Sequence, residues 1–199
     1  AHSADKRQRS FYAVLFALYR TAMTSTATPP AAADDRVPYA KPQPWGMSPD
    51  MVIPDVDTDD ERLWAPVAPG IWSRPLHLNV TGGFYIHLLK VKRSGLLQRH
   101  RHSGMVHAYV LRGKWLYLEH DWVAEQGGYV YEPPGETHTL VVPDDCQDMV
   151  TMFTVHGALM YVDTQGNATG YDDVFTRIDK YRAHFEAVGL GADYVKTFM

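Results

Sequence analysis

Two histidine motifs, separated by about two strands of sequence, constrain this chain more than any other feature. His100 and His102 lie two positions apart in Arg-His-Arg-His, and His138 closes a segment that starts at Gly127 and ends in Pro-Pro-Gly-Glu-Thr-His. Residues two apart on a strand point to the same face, so the first two imidazoles aim at one point. A third imidazole from a neighbouring strand completes one facet of a coordination shell. The motifs together predict a site for Fe, Zn, Cu or Ni between β-strands.

Length, charge and cysteine content limit the kind of protein. A chain of 199 residues is long enough for one domain with a sizeable core. Its net charge of −4 gives no footprint for nucleic acid. The apolar run at residues 11–19 is too short for a membrane span. A single cysteine, Cys146, excludes an internal disulfide, and we expect a cytoplasmic protein.

Residues 1–22 differ in character from the remainder of the sequence. Three basic residues, Lys6, Arg7 and Arg9, precede a short apolar run, a pattern that superficially resembles a secretion signal. There is no methionine at position 1, whereas Met23 opens a stretch rich in Ser, Thr, Ala and Pro that is typical of a natural start. We interpret residues 1–22 as a non-native or upstream leader; a secretion leader and an ordered helix are the alternatives.

Beyond residue 22 the chain divides into three segments by composition. Residues 23–60 form a proline-rich arm, since their prolines block helices. Residues 61–171 carry short strand patterns at regular intervals, which predict a β-sandwich or barrel. Residues 172–199 predict a helix and tail. An N-cap at Asp172 or Asp173 and a stop at Gly189 would bound this helix.

The two motifs resemble those of the cupin superfamily. The first cupin motif is usually Gly, five residues, His-x-His, three or four residues, Glu, six residues, Gly. Here Gly95 is one residue too near, and the glutamate is replaced by Val106 or His107, depending on the spacing. The second motif matches residues 127–138, with Val142 where asparagine is common. The resemblance implies an all-β cupin, a double-stranded β-helix or jelly-roll barrel, followed by the C-terminal α-helix.

Residues from about 23 to 199 also resemble the 2,4'-dihydroxyacetophenone dioxygenase family of small bacterial cupins. The similar features are Arg-His-Arg-His-Ser-Gly, Tyr-Glu-Pro-Pro-Gly-Glu-Thr-His and the proline-rich arm. The resemblance implies one non-haem Fe(II) on His100, His102 and His138, with Ni or Zn as possible substitutes. It implies cleavage of the bond between the carbonyl and hydroxymethyl carbons by O2, which gives 4-hydroxybenzoate and formate. A homodimer is expected of a cupin.

The ligand set suits a particular class of substrate. Three neutral imidazoles leave the full +2 charge of the metal uncompensated, unlike a set with two histidines and a carboxylate. That charge favours an anionic chelate, such as a 2-hydroxyketone that has lost a proton, and it lowers the pKa of the bound oxygens. The expected partners are therefore a small aromatic hydroxyketone and O2.

Other residues have roles that the sequence leaves open. His107 is a candidate fourth ligand, a base or substrate hydrogen-bond partner, or a packing residue. Glu132 is a candidate general base or a carboxylate at the barrel rim. Aromatic residues on strands near the motifs are candidates for an apolar slot for an aryl ring, although core packing is the alternative for each: Tyr109, Trp115, Tyr117, Tyr129 and Tyr131.

Three other functions compete with this one. A related cupin dioxygenase would cleave a different chelating carbon acid, such as a β-diketone or flavonol. A non-catalytic cupin would bind a metal or small ligand with a closed coordination sphere. A metal-dependent isomerase is also possible, because fold alone does not fix function, and it would need no O2.

Overall fold

The computed structural model describes residues 36–199. The chain divides into two units, Ala1–Pro49 and Asp50–Met199. The leader predicted at residues 1–22 and the start of the proline-rich arm lie outside the described residues. Residues 36–49 are exposed and contain a bend and a turn.

Two antiparallel sheets of six strands each form the body of residues 50–199. In the first, the strand order is β1 (Ala65–Ala68), β2 (Ile71–Asn79), β3 (Phe84–Val91), β10 (Met149–His156), β5 (Val106–Arg112) and β8 (Tyr129–Glu132). In the second, it is β12 (Ala168–Asp172), β11 (Leu159–Val162), β4 (Gly95–His102), β9 (Thr137–Val142), β6 (Lys114–Tyr117) and β7 (Ala124–Glu125). A 3-10 turn, Glu61–Leu63, precedes β1.

Apolar side chains that point to the inner faces of the two sheets form the core, because side-chain direction alternates along each strand. On β3, Tyr85, Leu89 and Val91 belong to the main core cluster, whereas Leu88 belongs to a smaller cluster with Trp64. Neighbouring residues of a strand point to opposite faces, so the main cluster lies inside and the smaller one outside the first sheet. This packing of apolar faces explains why short alternating segments form strands here.

Pro75 lies within β2, where the sequence pattern shows an interruption. The register against β3 shifts between Pro75 and His77. Proline has no N–H to donate, so an irregularity of the ladder at this point accommodates it. The strand continues to Asn79.

The helix predicted near the C-terminus is α1, Val174–Ala187. The side chain of Asp173 accepts a hydrogen bond from the Thr176 N–H, and the Thr176 hydroxyl accepts one from the Asp173 N–H, which makes a capping box. On α1, the apolar side chain of Phe175 is exposed, whereas the charged side chain of Arg177 is buried. A 3-10 segment, Ala192–Phe198, comes after α1 and packs on it.

The fold prediction, all-β with one C-terminal α-helix, is confirmed. In the part of the chain that the structure describes, there is no helix with the length and apolar character needed to cross a bilayer.

Candidate metal centre

Three histidines come together where β4 and β9 pair. His100 and His138 are directly opposite each other in this pair, and His102 lies two residues further along β4. Because side chains alternate, His100 and His102 point inward and are buried, while Arg101 between them is exposed. His138 is completely buried. The His-x-His spacing thus directs both imidazoles to the same face of the strand, as predicted.

The imidazole nitrogens converge on a buried carboxylate. The Nε2 atoms of His100 and His138 are 3.2 Å apart. Glu132 Oε2 lies 3.0 Å from His102 Nε2 and 3.5 Å from His138 Nε2. The four ligand atoms all lie within 4.8 Å of one another, so this group is able to hold a metal ion. We refer to His100, His102, Glu132 and His138 as the inner cluster.

Glu132 takes the place of the glutamate missing from the first motif. It ends β8 and lies directly opposite Val106 in the β5–β8 pair. Val106 is one of the two positions where the motif usually has a glutamate, and it is buried on the inner face. The carboxylate therefore reaches this part of the barrel from the neighbouring strand.

Burial sets the protonation of the inner cluster. It lowers the pKa of His100 far below its usual value and that of His138 to about 3, so both imidazoles are neutral at pH 7. Burial alone would also lower the pKa of His102, but hydrogen bonds to the Glu132 carboxylate and the Gly104 carbonyl raise it. These two bonds, 3.0 and 2.8 Å long, use both ring nitrogens of His102.

The donor set fits a divalent transition metal. Glu132 Oε1 and the Nδ1 atoms of His100 and His138 have no hydrogen-bond partner among the described residues. Buried polar atoms usually have partners, so the unpaired Oε1 on the carboxylate where the Nε2 atoms converge is unusual. A metal ion at the point of convergence would replace the proton between His102 and Glu132. Three imidazoles and one carboxylate suit Fe, Zn, Ni or Cu better than Mg or Ca.

Comparison with known proteins identifies the family. A model of the ChrR cupin-like domain matches residues 55–160, slightly more than half of the chain. The chain belongs to this cupin family. No curated protein matches it.

Two solved structures place this cupin among its relatives. An RmlC-like cupin protein from Ralstonia eutropha JMP134 is 33% identical, with a TM-score of 0.59 over 63% of this chain and 83% of that one. An acetylacetone dioxygenase from Acinetobacter johnsonii is 14% identical, with a TM-score of 0.60 over 74% of this chain and 99% of that one. At this identity, the second likeness shows the shared fold alone.

The inner cluster forms part of the wall of a cavity in the cupin barrel. His100, Glu132 and Tyr117 line it together with apolar side chains. The apolar part of the wall includes Leu97, Leu140, Phe153 and Leu159. The cavity therefore combines polar groups of the inner cluster with an apolar surface.

The predicted aromatic slot is only partly assembled. Tyr117 stacks on His138, with ring centroids 3.7 Å apart and planes 7° from parallel. Trp115 is fully buried in the core beside Tyr117 and is not among the residues of the cavity wall. Tyr109 and Tyr131 are exposed, because strand alternation sends both to the outer face. The expectation that Tyr109 and Tyr131 line a pocket thus needs correction.

His107 also lies on the outer face of the barrel. Its Nδ1 is 2.6 Å from the hydroxyl oxygen of Tyr129, and its ring lies 5.5 Å from that of Tyr131. Because its neighbour Val106 points inward, His107 points away from the histidines of the inner cluster. The structure does not bring His107 to the metal centre as a ligand or a base. We refer to His107, Tyr129 and Tyr131 as the outer cluster.

The sequence analysis did not identify three polar residues that lie in or near the cavity wall. His120 and Glu136 lie behind His138: Glu136 Oε1 is 3.1 Å from His120 Nε2, and Glu136 Oε2 is 3.9 Å from His138 Nδ1. Arg177 reaches the cavity wall from α1. Only Arg177 had a usable signal, since it lies one turn from Val174 and Tyr181 on the buried face of the helix.

Proposed function

We propose that this cupin is a mononuclear Fe(II)-dependent dioxygenase that cleaves 2,4'-dihydroxyacetophenone between its carbonyl and hydroxymethyl carbons. The products are 4-hydroxybenzoate and formate, which together contain both atoms of O2. One observation carries the proposal: three buried imidazoles and a carboxylate converge, and two of these side chains, His100 and Glu132, line a cavity with a largely apolar wall. The family motifs in the sequence point to this substrate.

The charge of the centre supports an anionic chelate. His100 and His138 are neutral, and a divalent metal held by the inner cluster would replace the proton that His102 shares with Glu132. The ion with three neutral imidazoles and one carboxylate would carry a net charge of +1. This positive charge would attract a hydroxyketone that has lost one proton, which favours its binding in a site of low polarity.

When bound, the iron supplies positions for the two adjacent substrate oxygens and for O2, and it lowers the pKa of the oxygens that it binds. The protein chain supplies orientation and proton transfer. Glu132 lines the cavity, and its Oε1 has no partner among the described residues. This oxygen is available to take the proton from the substrate hydroxyl.

The apolar wall holds the aryl ring. Leu97, Leu140 and Phe153 offer contacts to a flat ring, and their side chains exclude water from the space next to the histidines. Fixing the ring relative to the metal turns a bimolecular encounter into a reaction of oriented groups. The stacking of Tyr117 on His138 restrains the ring of that ligand.

Product analysis after anaerobic loading with Fe(II) tests the proposal. We expect O2, 2,4'-dihydroxyacetophenone, formate and 4-hydroxybenzoate to change in equal amounts. The matched variants are His100→Ala, which removes an inner imidazole, and His107→Ala, which removes an outer one. Activity should disappear in the first and remain in the second.

The alternatives predict different results in the same assay. Consumption of O2 with acetylacetone or a flavonol, but not with the hydroxyketone, would show that the protein is a dioxygenase for a different substrate. An iron-loaded protein that consumes no O2 with any of them would overturn the dioxygenase and favour a binding protein or an isomerase.

A further inference from the structure

A buried arginine lines the cavity that the inner cluster also lines. Arg177 extends from α1 and is 5% exposed. Its guanidinium lies 5.3 Å from the ring centroid of Tyr85. Its Nε atom is buried and has no hydrogen-bond partner among the described residues. An arginine almost never loses its charge, so the cavity wall carries a fixed cation.

The groups around Arg177 leave positive charge in excess. Asp172 accepts hydrogen bonds from Arg177 Nη2 at 3.1 Å and from Tyr161 at 2.7 Å, and it is also bonded by Lys180. One carboxylate thus serves two cations. Arg177 Nη1 also donates a hydrogen bond to Ser73 Oγ at 3.4 Å. His87, on the same cavity wall, is kept neutral because burial lowers its pKa far below the usual value.

Strand register separates the carboxylate partner of this cation from the inner cluster. Leu159 on β11 pairs with His102 on one side and with Asp172 on the other. Two strand spacings therefore separate the backbones at His102 and Asp172, about 10 Å in all. Arg177, which contacts Asp172 at 3.1 Å, and the inner cluster thus lie at separate places on the cavity wall.

We propose that Arg177 is a specificity residue that binds an oxygen at the para position of an aromatic ligand, while the opposite end of the ligand occupies the inner cluster. The identification of that ligand as the substrate rests on the proposed function; the binding of a para oxygen does not. A phenol hydroxyl accepts a hydrogen bond from the guanidinium, and His87 lies on the same wall. The cavity therefore selects 4-hydroxylated rings over unsubstituted ones.

A purely structural role predicts something different. If Arg177 only fastens α1 to the barrel through Asp172, its replacement changes stability and leaves ligand preference unchanged. Ligand preference is therefore the informative quantity. It is best expressed as the ratio of dissociation constants for two ligands that differ only at the para position.

The test uses 4-hydroxyacetophenone and acetophenone, which lack the chelating hydroxyl group. Their dissociation constants are measured by calorimetry on the full-length, metal-loaded protein under nitrogen. We expect the hydroxylated ligand to bind about tenfold more tightly or better, as for a hydrogen bond to a charged group. In Arg177→Met the ratio should fall to about one, and Arg177→Lys should restore part of it.

Two further variants keep the result interpretable. Arg177→Met leaves Asp172 without its buried partner and can unfold the protein. The double variant Asp172→Asn with Arg177→Met removes both charges and should fold with a ratio of about one. His107→Ala, on the outer face, should retain the wild-type ratio.

Equal affinities in the wild-type protein, or an unchanged ratio in a folded Arg177→Met or double variant, would overturn the proposal. Failure of the dioxygenase is seen separately, because His100→Ala should keep the preference for the para hydroxyl. A protein that shows this preference but consumes no O2 refutes the reaction and retains the role of Arg177. A protein that cleaves the hydroxyketone without the preference supports the reaction and refutes the role of Arg177.

Discussion

The inner and outer clusters both contain histidine, but they lie on opposite faces of the same barrel in different surroundings. In the inner cluster, His100, His102, His138 and Glu132 are each less than 5% exposed. In the outer cluster, Tyr129 and Tyr131 are more than half exposed, and His107 is partly exposed. Water can satisfy the polar atoms of the outer cluster but not those of the inner one. Burial therefore distinguishes the candidate metal centre from the surface contact.

A one-residue difference in position separates the two environments. Val106 points inward opposite Glu132, and His107 points outward opposite Tyr131. Shifting a residue by one position on a strand moves its side chain to the other face. The cupin motif allows the fourth ligand to fall at either position, so only the structure decides between them.

Removal of an inner imidazole should have the largest effect. His102→Ala should weaken metal binding by more than about 100-fold, because even residues that only orient a ligand contribute 10- to 100-fold. His107→Ala should bind the same metal with unchanged stoichiometry. Metal content after dialysis and a competition titration measure both. Equal losses in the two variants would abolish the distinction between the clusters.

Removal of the inner carboxylate charge should have the next largest effect. Glu132→Gln keeps the size of the side chain but cannot accept the substrate proton, and cleavage should slow about 100-fold or more. The three histidines should still hold iron, so rate and metal content need to be measured on the same sample. Glu136→Gln, outside the cavity wall, is the control and should retain most of the activity. A fully active Glu132→Gln would refute the proposed proton transfer.

Acid should destabilise the metal-free protein through the inner cluster. His100 and His138 have lowered pKa values, that of His138 being about 3, so between about pH 6.5 and 3 the unfolded chain binds more protons than the folded one. Stability should therefore fall with falling pH, by up to about 1.4 kcal/mol per pH unit for each histidine.

His102 acts with the opposite sign. Its pKa is raised, so its contribution is present below the unfolded value and is lost as the pH rises through the folded value. Urea unfolding of the metal-free protein at several pH values measures the net slope. His138→Asn should reduce the slope below pH 6, and an unchanged slope in this variant would contradict the assignment.

The smallest effect should come from the outer cluster. Tyr129→Phe removes the hydroxyl that contacts His107 Nδ1 at 2.6 Å. Both side chains are accessible to water, so the free energy of unfolding should change by less than about 0.5 kcal/mol. Metal binding and turnover should be unchanged. A loss of turnover in this variant would show that the outer face takes part in the reaction.

The sequence predicted the parts of the molecule that depend on local periodicity. The alternation at His100 and His102 and the N-cap, predicted at Asp172 or Asp173 and found at Asp173, each depend on a few neighbouring residues. The all-β fold and the C-terminal helix were therefore predictable. That these histidines bind metal stays a prediction.

Long-range register accounts for the features that the sequence left open. The sequence left two roles open for Glu132, a general base or a carboxylate at the barrel rim. Its position opposite Val106 depends on how β8 pairs with β5, which the sequence does not show. Arg177 lies at a position that helix periodicity places on the buried face of α1, although its charge alone would assign it to solvent. Its burial depends on Asp172, which lies at the end of β12.

Cleavage under isotopically labelled oxygen tests the central claim most directly. The iron-loaded protein and 2,4'-dihydroxyacetophenone are mixed with heavy-oxygen O2, and both products are analysed by mass spectrometry. The account predicts one labelled atom in 4-hydroxybenzoate and one in formate, with no labelled product from His100→Ala. Unlabelled products, or label in only one product with the other oxygen from water, would contradict it.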